Sequence, residues 1–224
     1  MNNFSEIQLI RETKWWLAVN KPAGIITEVS AYEHPTMEDL VCTYLTEKDP
    51  RCFLGIIHRL DRVTSGVWLV AKKKAALKHL NQQFASRTVA KTYWAIVEQA
   101  PPKQKGVLTH WLEKDNIHKK AQIHLEAHPK AQQVQLKYEV LASLPGKKLL
   151  EIQPYTGKFH QIRAQLSAVG CPIIGDHKYG PNPEIHTKNI ALHARNLVFD
   201  DPQSGERITI EAPLPTTSFW KDFL

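Results

Sequence analysis

Cysteine is scarce: Cys42, Cys52 and Cys171 are the only three in 224 residues, far apart and in no metal-ligand spacing. That excludes a disulfide scaffold and a cysteine-based zinc module, and it fits inert thiols in a reducing cytoplasm. Long apolar runs are missing too: nothing approaches the roughly eighteen residues a membrane span needs. The opening Met-Asn-Asn-Phe-Ser-Glu has neither the basic start nor the apolar stretch of a secretory signal. A cytoplasmic protein without membrane contact is the expectation. There is no internal repeat, no low-complexity segment and no convincing linker, so residues 1–224 are expected to form one domain. The eleven histidines make no HxH or HExxH spacing, so no metal ligand is assigned. Acid, finally, is absent from Arg62 to Val97.

Across that acid-free stretch Arg62, Lys72, Lys73, Lys74, Lys78, Arg87 and Lys91 supply seven positive charges, which equals the net charge of +7 for the chain. A local surplus of this kind attracts a polyanion at long range, and without an exposed apolar helix face it points away from membrane binding.

The rest of the composition is ordinary for a globular protein: 42% hydrophobic and 23% charged residues. Lys14 to Asn20 reads as a strand ended by the turn Lys21-Pro22-Ala23-Gly24. Thr36-Met37-Glu38-Asp39 is a capping start for a helix to about Lys48. Lys73 to Ser86 fits a helix with Leu77, Leu80 and Phe84 near one face. Val89 to Val97 alternates as a strand. Residues 100–130 are polar and read as peripheral strands and loops. Alternation returns at Val134, Leu136, Tyr138 and Val140, and a strand follows Pro145-Gly146 to Tyr155. Phe159 to Val169 reads as a helix with Ile162, Leu166 and Val169 toward the core, stopped by Gly170 and Pro172. Strands outnumber helices and hairpin-like neighbours are frequent. The pattern predicts an α+β fold around a mixed, largely antiparallel sheet with flanking helices.

Two segments carry chemistry. His58-Arg59-Leu60-Asp61-Arg62-Val63-Thr64-Ser65-Gly66 lies between two short apolar runs and reads as strand, tight loop, strand, with Asp61 held at the loop. A carboxylate beside arginines stays ionised, and a positioned one in a cationic setting can be a nucleophile toward something that carries phosphates. An Arg-Asp structural ion pair is the competing reading. The second segment, Thr156-Gly157-Lys158-Phe159-His160-Gln161-Ile162-Arg163, opens the last helix. His160 and Arg163 share a face of its first turn, where free amides add positive potential. The anion favoured there is Asp61 itself, a ligand phosphate or a sulfate-like ion.

These segments together resemble the RluA-type pseudouridine synthases. Asn20-Lys21-Pro22-Ala23-Gly24 is similar to that family's first motif, and His58 through Gly66 resembles its catalytic motif. Lys91-Thr92-Tyr93 resembles the motif that carries its active-site tyrosine. Thr156 through Arg163, continuing through Gly170-Cys171-Pro172-Ile173-Ile174-Gly175-Asp176 to Tyr179-Gly180, resembles its third motif, and Leu192-His193-Ala194 matches a further short signature. Lys158 stands where the family usually has arginine, which keeps the charge and loses bidentate phosphate recognition. The likeness runs from about Lys14 to Ala212-Pro213-Leu214-Pro215, without the RNA-binding S4 domain that many relatives carry.

The resemblance implies a pseudouridine synthase-like catalytic domain with a central cleft, turning uridine in ribosomal RNA, or alternatively transfer RNA, into pseudouridine. No atom is gained or lost, so no cofactor is needed. It implies Asp61 as the essential carboxylate, Arg163 as the arginine paired with it, and Tyr93 as the ring stacked on the uracil. Arg59 is the candidate to fill the space of the flipped base. Lys21, His58, Thr64, Lys91, Lys158, His160 and Ile162 are the remaining expected substrate-binding residues. RNA is the expected partner, with no obligate protein partner and a monomeric state. Two alternatives come from other classes: a non-catalytic RNA-binding protein on the same scaffold, and a metal-dependent hydrolase built on Asp61, His58, His160 and Asp176.

Overall fold

The computed structural model describes residues 8–99, 101–181 and 189–223. The N-terminal residues read above against a secretory signal therefore lie outside the described part. The chain, expected from sequence to form one domain, folds as two compact units. One comprises residues 1–91 and 194–215, the other 92–193 and 216–224. No helix among the described residues is long and apolar enough to cross a membrane.

In the first unit, β1 (Gln8–Glu12) pairs antiparallel with β2 (Trp16–Lys21), which pairs antiparallel with β4 (Ser65–Ala71). A two-residue strand, β3 (Gly55–Ile56), joins β4 from the other side. The unit also holds most of β10 (Leu192–Asp200), next to β4, and β11 (Arg207–Glu211), antiparallel to β10. Every residue of β4 is buried, so alternate side chains enter apolar surroundings on both faces. On one face Val67 and Leu69 join Trp16, Ala18, Leu80, Leu197, Phe199 and Ile210 in a core where Trp16 and Phe199 meet edge to face. The indole N–H of Trp16 donates to Asp201 at 2.7 Å, which satisfies the buried ring's polar atom. Gly66 lies at φ +117°, and a Cβ there would come within 2.3 Å of the Ala194 carbonyl oxygen, so only glycine lets the two segments approach.

Helix α1 (Met37–Lys48) starts as its sequence dictates. Thr36 accepts from the Asp39 N–H and Asp39 accepts from the Thr36 N–H, a reciprocal capping box. Helix α2 (Lys74–Ala85) buries Ala76 and Leu80 and leaves its lysines outward.

The second unit is an antiparallel sheet whose neighbours are not all consecutive in sequence. β5 (Ala90–Val97) pairs with β9 (Lys147–Pro154), β9 with β8 (Gln132–Leu144), β8 with β6 (Lys105–Asp115), and β6 with β7 (Lys120–His124). The polar stretch read as peripheral strands and loops contains the eleven-residue β6 and the shorter β7. The alternation of β6 is real but hidden in the sequence, because Val107 and Trp111 lie on the outward face with Lys105 and Thr109 while His110 is buried on the other. Helix α3 (Gln161–Ala168) packs on this sheet and buries Gln161, Ile162, Arg163, Ala164, Gln165 and Leu166. Three polar side chains are enclosed with the apolar ones, contrary to a simple one-faced reading. Among the described residues the strands and three α-helices make an α+β fold, as expected.

Candidate active site

The acidic loop belongs to the first unit. Between β3 and β4 the chain runs through His58, Asp61 and Thr64, and the Asp61 carbonyl accepts from the Thr64 N–H at 3.0 Å to close a turn. Beneath it lies Lys21, fully buried at the end of β2. Its ammonium donates to the carbonyls of Pro22 (2.8 Å), Thr64 (2.9 Å) and Arg62 (3.2 Å). One side chain therefore gathers the first motif and two carbonyls, of Arg62 and Thr64, in the turn after Asp61. Burial lowers the Lys21 pKa to about 7, and the negative charge of Asp61 acts in the opposite direction, favouring the ammonium. The Thr27 hydroxyl ties Leu60 by donating to its carbonyl at 2.8 Å.

The arginines on either side of Asp61 turn elsewhere. Arg59 reaches Glu28 at 3.0 Å and Arg62 reaches Glu33 at 3.0 Å. Lys21, at the end of β2, adds a positive charge that Asp61 favours electrostatically. Arg59 is exposed, with a side chain 70% accessible, as an inserting arginine requires.

His58 has a different place from the substrate contact expected of it. Its Nε2 accepts the Leu69 N–H at 3.0 Å, its carbonyl accepts the Trp68 indole N–H at 3.0 Å, and its ring stacks on Phe84 at 5.1 Å. Burial, aided by the charge of Lys91, pushes its pKa down to about 3, so the ring is neutral with its proton on Nδ1. It fastens the loop to β4. Thr64 is buried as well, and Lys91 is half-buried over Phe84.

In the second unit the arginine helix is held from below. Arg163 donates from Nε to Asp176 Oδ2 at 2.7 Å and from a terminal nitrogen to Oδ1 at 2.8 Å, a two-pronged pair with almost no solvent access. Its guanidinium also lies over the Tyr179 ring at 5.1 Å. Asp176 accepts further from the N–H groups of Lys178 and Tyr179. Asp176 was read as part of a motif and as a ligand of the hydrolase alternative, but its position thirteen residues from Arg163 carries no helical spacing that would pair them.

His160 precedes α3 in a left-handed conformation, φ 52°, so the helix begins at Gln161 rather than Phe159. The Tyr179 hydroxyl accepts from the Ala121 N–H and meets His160 Nδ1 at 2.9 Å. Burial and then the positive charge of Arg163 push the His160 pKa to about 3. The ring is a neutral brace under α3 rather than a phosphate contact. Gln161 caps the helix start with Oε1, which accepts from the Lys158 N–H and the Thr156 hydroxyl. Its Nε2 donates to Gln165, whose own amide reaches His110. This chain of satisfied amides explains how so polar a helix is buried. Ile162 is packed, 8% exposed, while Lys158 is exposed. Tyr93 is half-buried in β5, opposite Ile152 of β9.

The metal-hydrolase alternative loses its ligands here. His58 Nε2 is taken by a backbone N–H and His160 Nδ1 by a tyrosine hydroxyl, while Asp176 is engaged by an arginine.

An acid loop tied to a buried lysine and an arginine helix braced from within are the frame that sequence motifs of this type would need. A family model of RNA pseudouridylate synthases matches residues 15–168. The chain belongs to that family and is an isomerase that converts uridine to pseudouridine. Among its relatives, a ribosomal large subunit pseudouridine synthase C of Rickettsia felis is 35% identical over 92% of this chain and 67% of that protein. An uncharacterized RNA pseudouridine synthase of Bacillus subtilis, YlyB, is 32% identical over 94% of this chain and 70% of its own length. Among solved structures, human RNA pseudouridylate synthase domain containing 4 superposes with a TM-score of 0.78 at 26% identity, covering 93% of this chain and 89% of that one.

Proposed function

We propose that this enzyme modifies uridine in large-subunit ribosomal RNA, with Asp61 as the carboxylate that attacks the target nucleoside or assists loss of its base. The observation that carries the assignment of Asp61 is the Lys21 anchor. A fully buried ammonium gripped by three carbonyls fixes the backbone around this acid before any substrate arrives, the preorganisation that electrostatic catalysis needs. Arg163, oriented by Asp176, is the arginine that the family resemblance assigns to the catalytic carboxylate. Tyr93 stacks on the displaced uracil, and Arg59 enters the gap that the flipped nucleotide leaves. The choice of ribosomal RNA rests on what the Rickettsia relative is named for. A cytoplasmic monomer is the form in which it acts.

The test is complementation. Pseudouridines are mapped in total RNA from cells lacking this protein, then from the same cells supplied with wild type or with Asp61→Asn. One or more ribosomal positions should vanish, return with wild type and stay absent with the variant. Loss confined to transfer RNA would move the target, and restored ribosomal modification by Asp61→Asn would remove the nucleophile.

A further inference from the structure

The β6–β7 hairpin carries a second chemical cluster, outside everything used above. Trp111 pairs with His124 and Glu113 with Gln122 across the hairpin, so Glu113 and His124 are diagonal neighbours on one face. The opposite face, with Leu112, Ala121 and Ile123, is the one packed on the apolar core of this unit. After β7 the chain turns through residues 125–131, closed by the Ala131 N–H donating to the His128 carbonyl at 3.0 Å, and returns His128 to the same place. The imidazoles of His124 and His128 stack with centroids 4.3 Å apart and planes within 3°.

Three ligand-type atoms converge there. Glu113 Oε2 stands 3.3 Å from His124 Nε2 and 3.3 Å from His128 Nδ1. Neither contact has hydrogen-bond geometry, and both ring nitrogens are buried without a hydrogen-bond partner among the described residues. Buried polar nitrogens left so call for a partner of another kind. The spacing suggests which. Nitrogen and oxygen ligands bound at 2.0–2.1 Å in a tetrahedron lie roughly 3.3 Å from one another. Two imidazoles and one carboxylate are also a donor set that suits a borderline divalent ion rather than calcium or magnesium.

We propose that Glu113, His124 and His128 bind one divalent transition-metal ion of the zinc type, with water completing the tetrahedron. The parallel rings need a modest turn about their Cβ–Cγ bonds to point both lone pairs at one spot, a soft motion for histidine. His128, in a loop, is free to make most of it. The bound ion ties loop 125–131 to the hairpin and takes no part in the chemistry at Asp61.

Cobalt(II) tests this on the full-length protein after chelator treatment. Tetrahedral cobalt should give visible d–d absorption that saturates at one ion per chain and is displaced by zinc. A hundredfold excess of zinc over its Kd should raise Tm by roughly 5 °C. His128→Ala, a loop change that the fold tolerates, should abolish both responses, as should Glu113→Gln for the tetrahedral spectrum. Absorption that persists in His124→Ala/His128→Ala places the ion at other histidines and overturns the proposal. So does a wild-type protein with no cobalt spectrum and no zinc-dependent Tm shift.

Discussion

His58 joins the two ends of its own loop only while it is neutral, because Nε2 must accept the Leu69 N–H. Its pKa falls to about 3 in the folded state, and that of His160 falls likewise. Both lie below the unfolded value near 6.5, so the unfolded chain takes up protons first. The stability they contribute is complete above pH 6.5 and is lost as pH falls through the window toward 3. Each group should cost about 2 kcal/mol between pH 8 and pH 5. His58→Gln offers an amide oxygen near the position of Nε2 and cannot titrate. Urea unfolding should find it about 1 kcal/mol less stable than wild type at pH 8, for want of the stack on Phe84. Its loss between pH 8 and pH 5 should be smaller than that of wild type by the share of one histidine. An equal loss in both proteins would place the acid sensitivity in other groups.

Helix α3 shows how an element is buried without being apolar. Asp176 brings Arg163 into the interior, and two backbone N–H groups complete the carboxylate. Asp176→Asn keeps the size and removes the charge, leaving a buried guanidinium uncompensated. It should destabilise the protein by about 3 kcal/mol and reduce turnover by mispointing Arg163, read from denaturant midpoints and single-turnover rates. Unchanged midpoints would mean that Arg163 draws its support from elsewhere. The elements were legible in sequence to different degrees, for physical reasons. The capping box of α1 is local in sequence, so Thr36 and Asp39 could be read directly. The start of α3 depends on Gln161 bonding backward to Thr156 and Lys158, and its burial on contacts with Gln135 and Asp176, which no periodicity reveals. Asp61 stood out because its motif is contiguous. The cation beneath it, Lys21, lies forty residues earlier, so its buried anchoring of the Asp61 loop could not be read from spacing.

Over the whole molecule, the positive charge of residues 62–97 is not uniform in what it can offer an RNA. Lys72 is committed to the protein, with its ammonium 2.5 Å from Glu12 and 2.9 Å from the Thr13 carbonyl. Arg62 pairs with Glu33, and Lys91 is half-buried over Phe84. Lys73, Lys74 and Lys78 stay exposed at the start of α2, and Arg87 stays exposed just beyond its end. Phosphates released from their counterions would be met there, each contact adding roughly 0.7–0.9 to the slope of log K against log salt. Changing Lys73, Lys74 and Lys78 together to Gln should weaken binding to a structured ribosomal RNA fragment and flatten that slope by about 2. Fold stability should fall by no more than about 1 kcal/mol, since the contact that these charges make among the described residues is the exposed Lys73 ammonium over the Trp15 ring. Changing Lys72 alone should do the reverse, lowering stability by loosening Glu12 while moving the salt slope little. Filter-binding titrations across salt, run beside urea melts, separate the two. A slope unmoved by the triple change would mean that this face serves solubility and that RNA lies elsewhere on the protein.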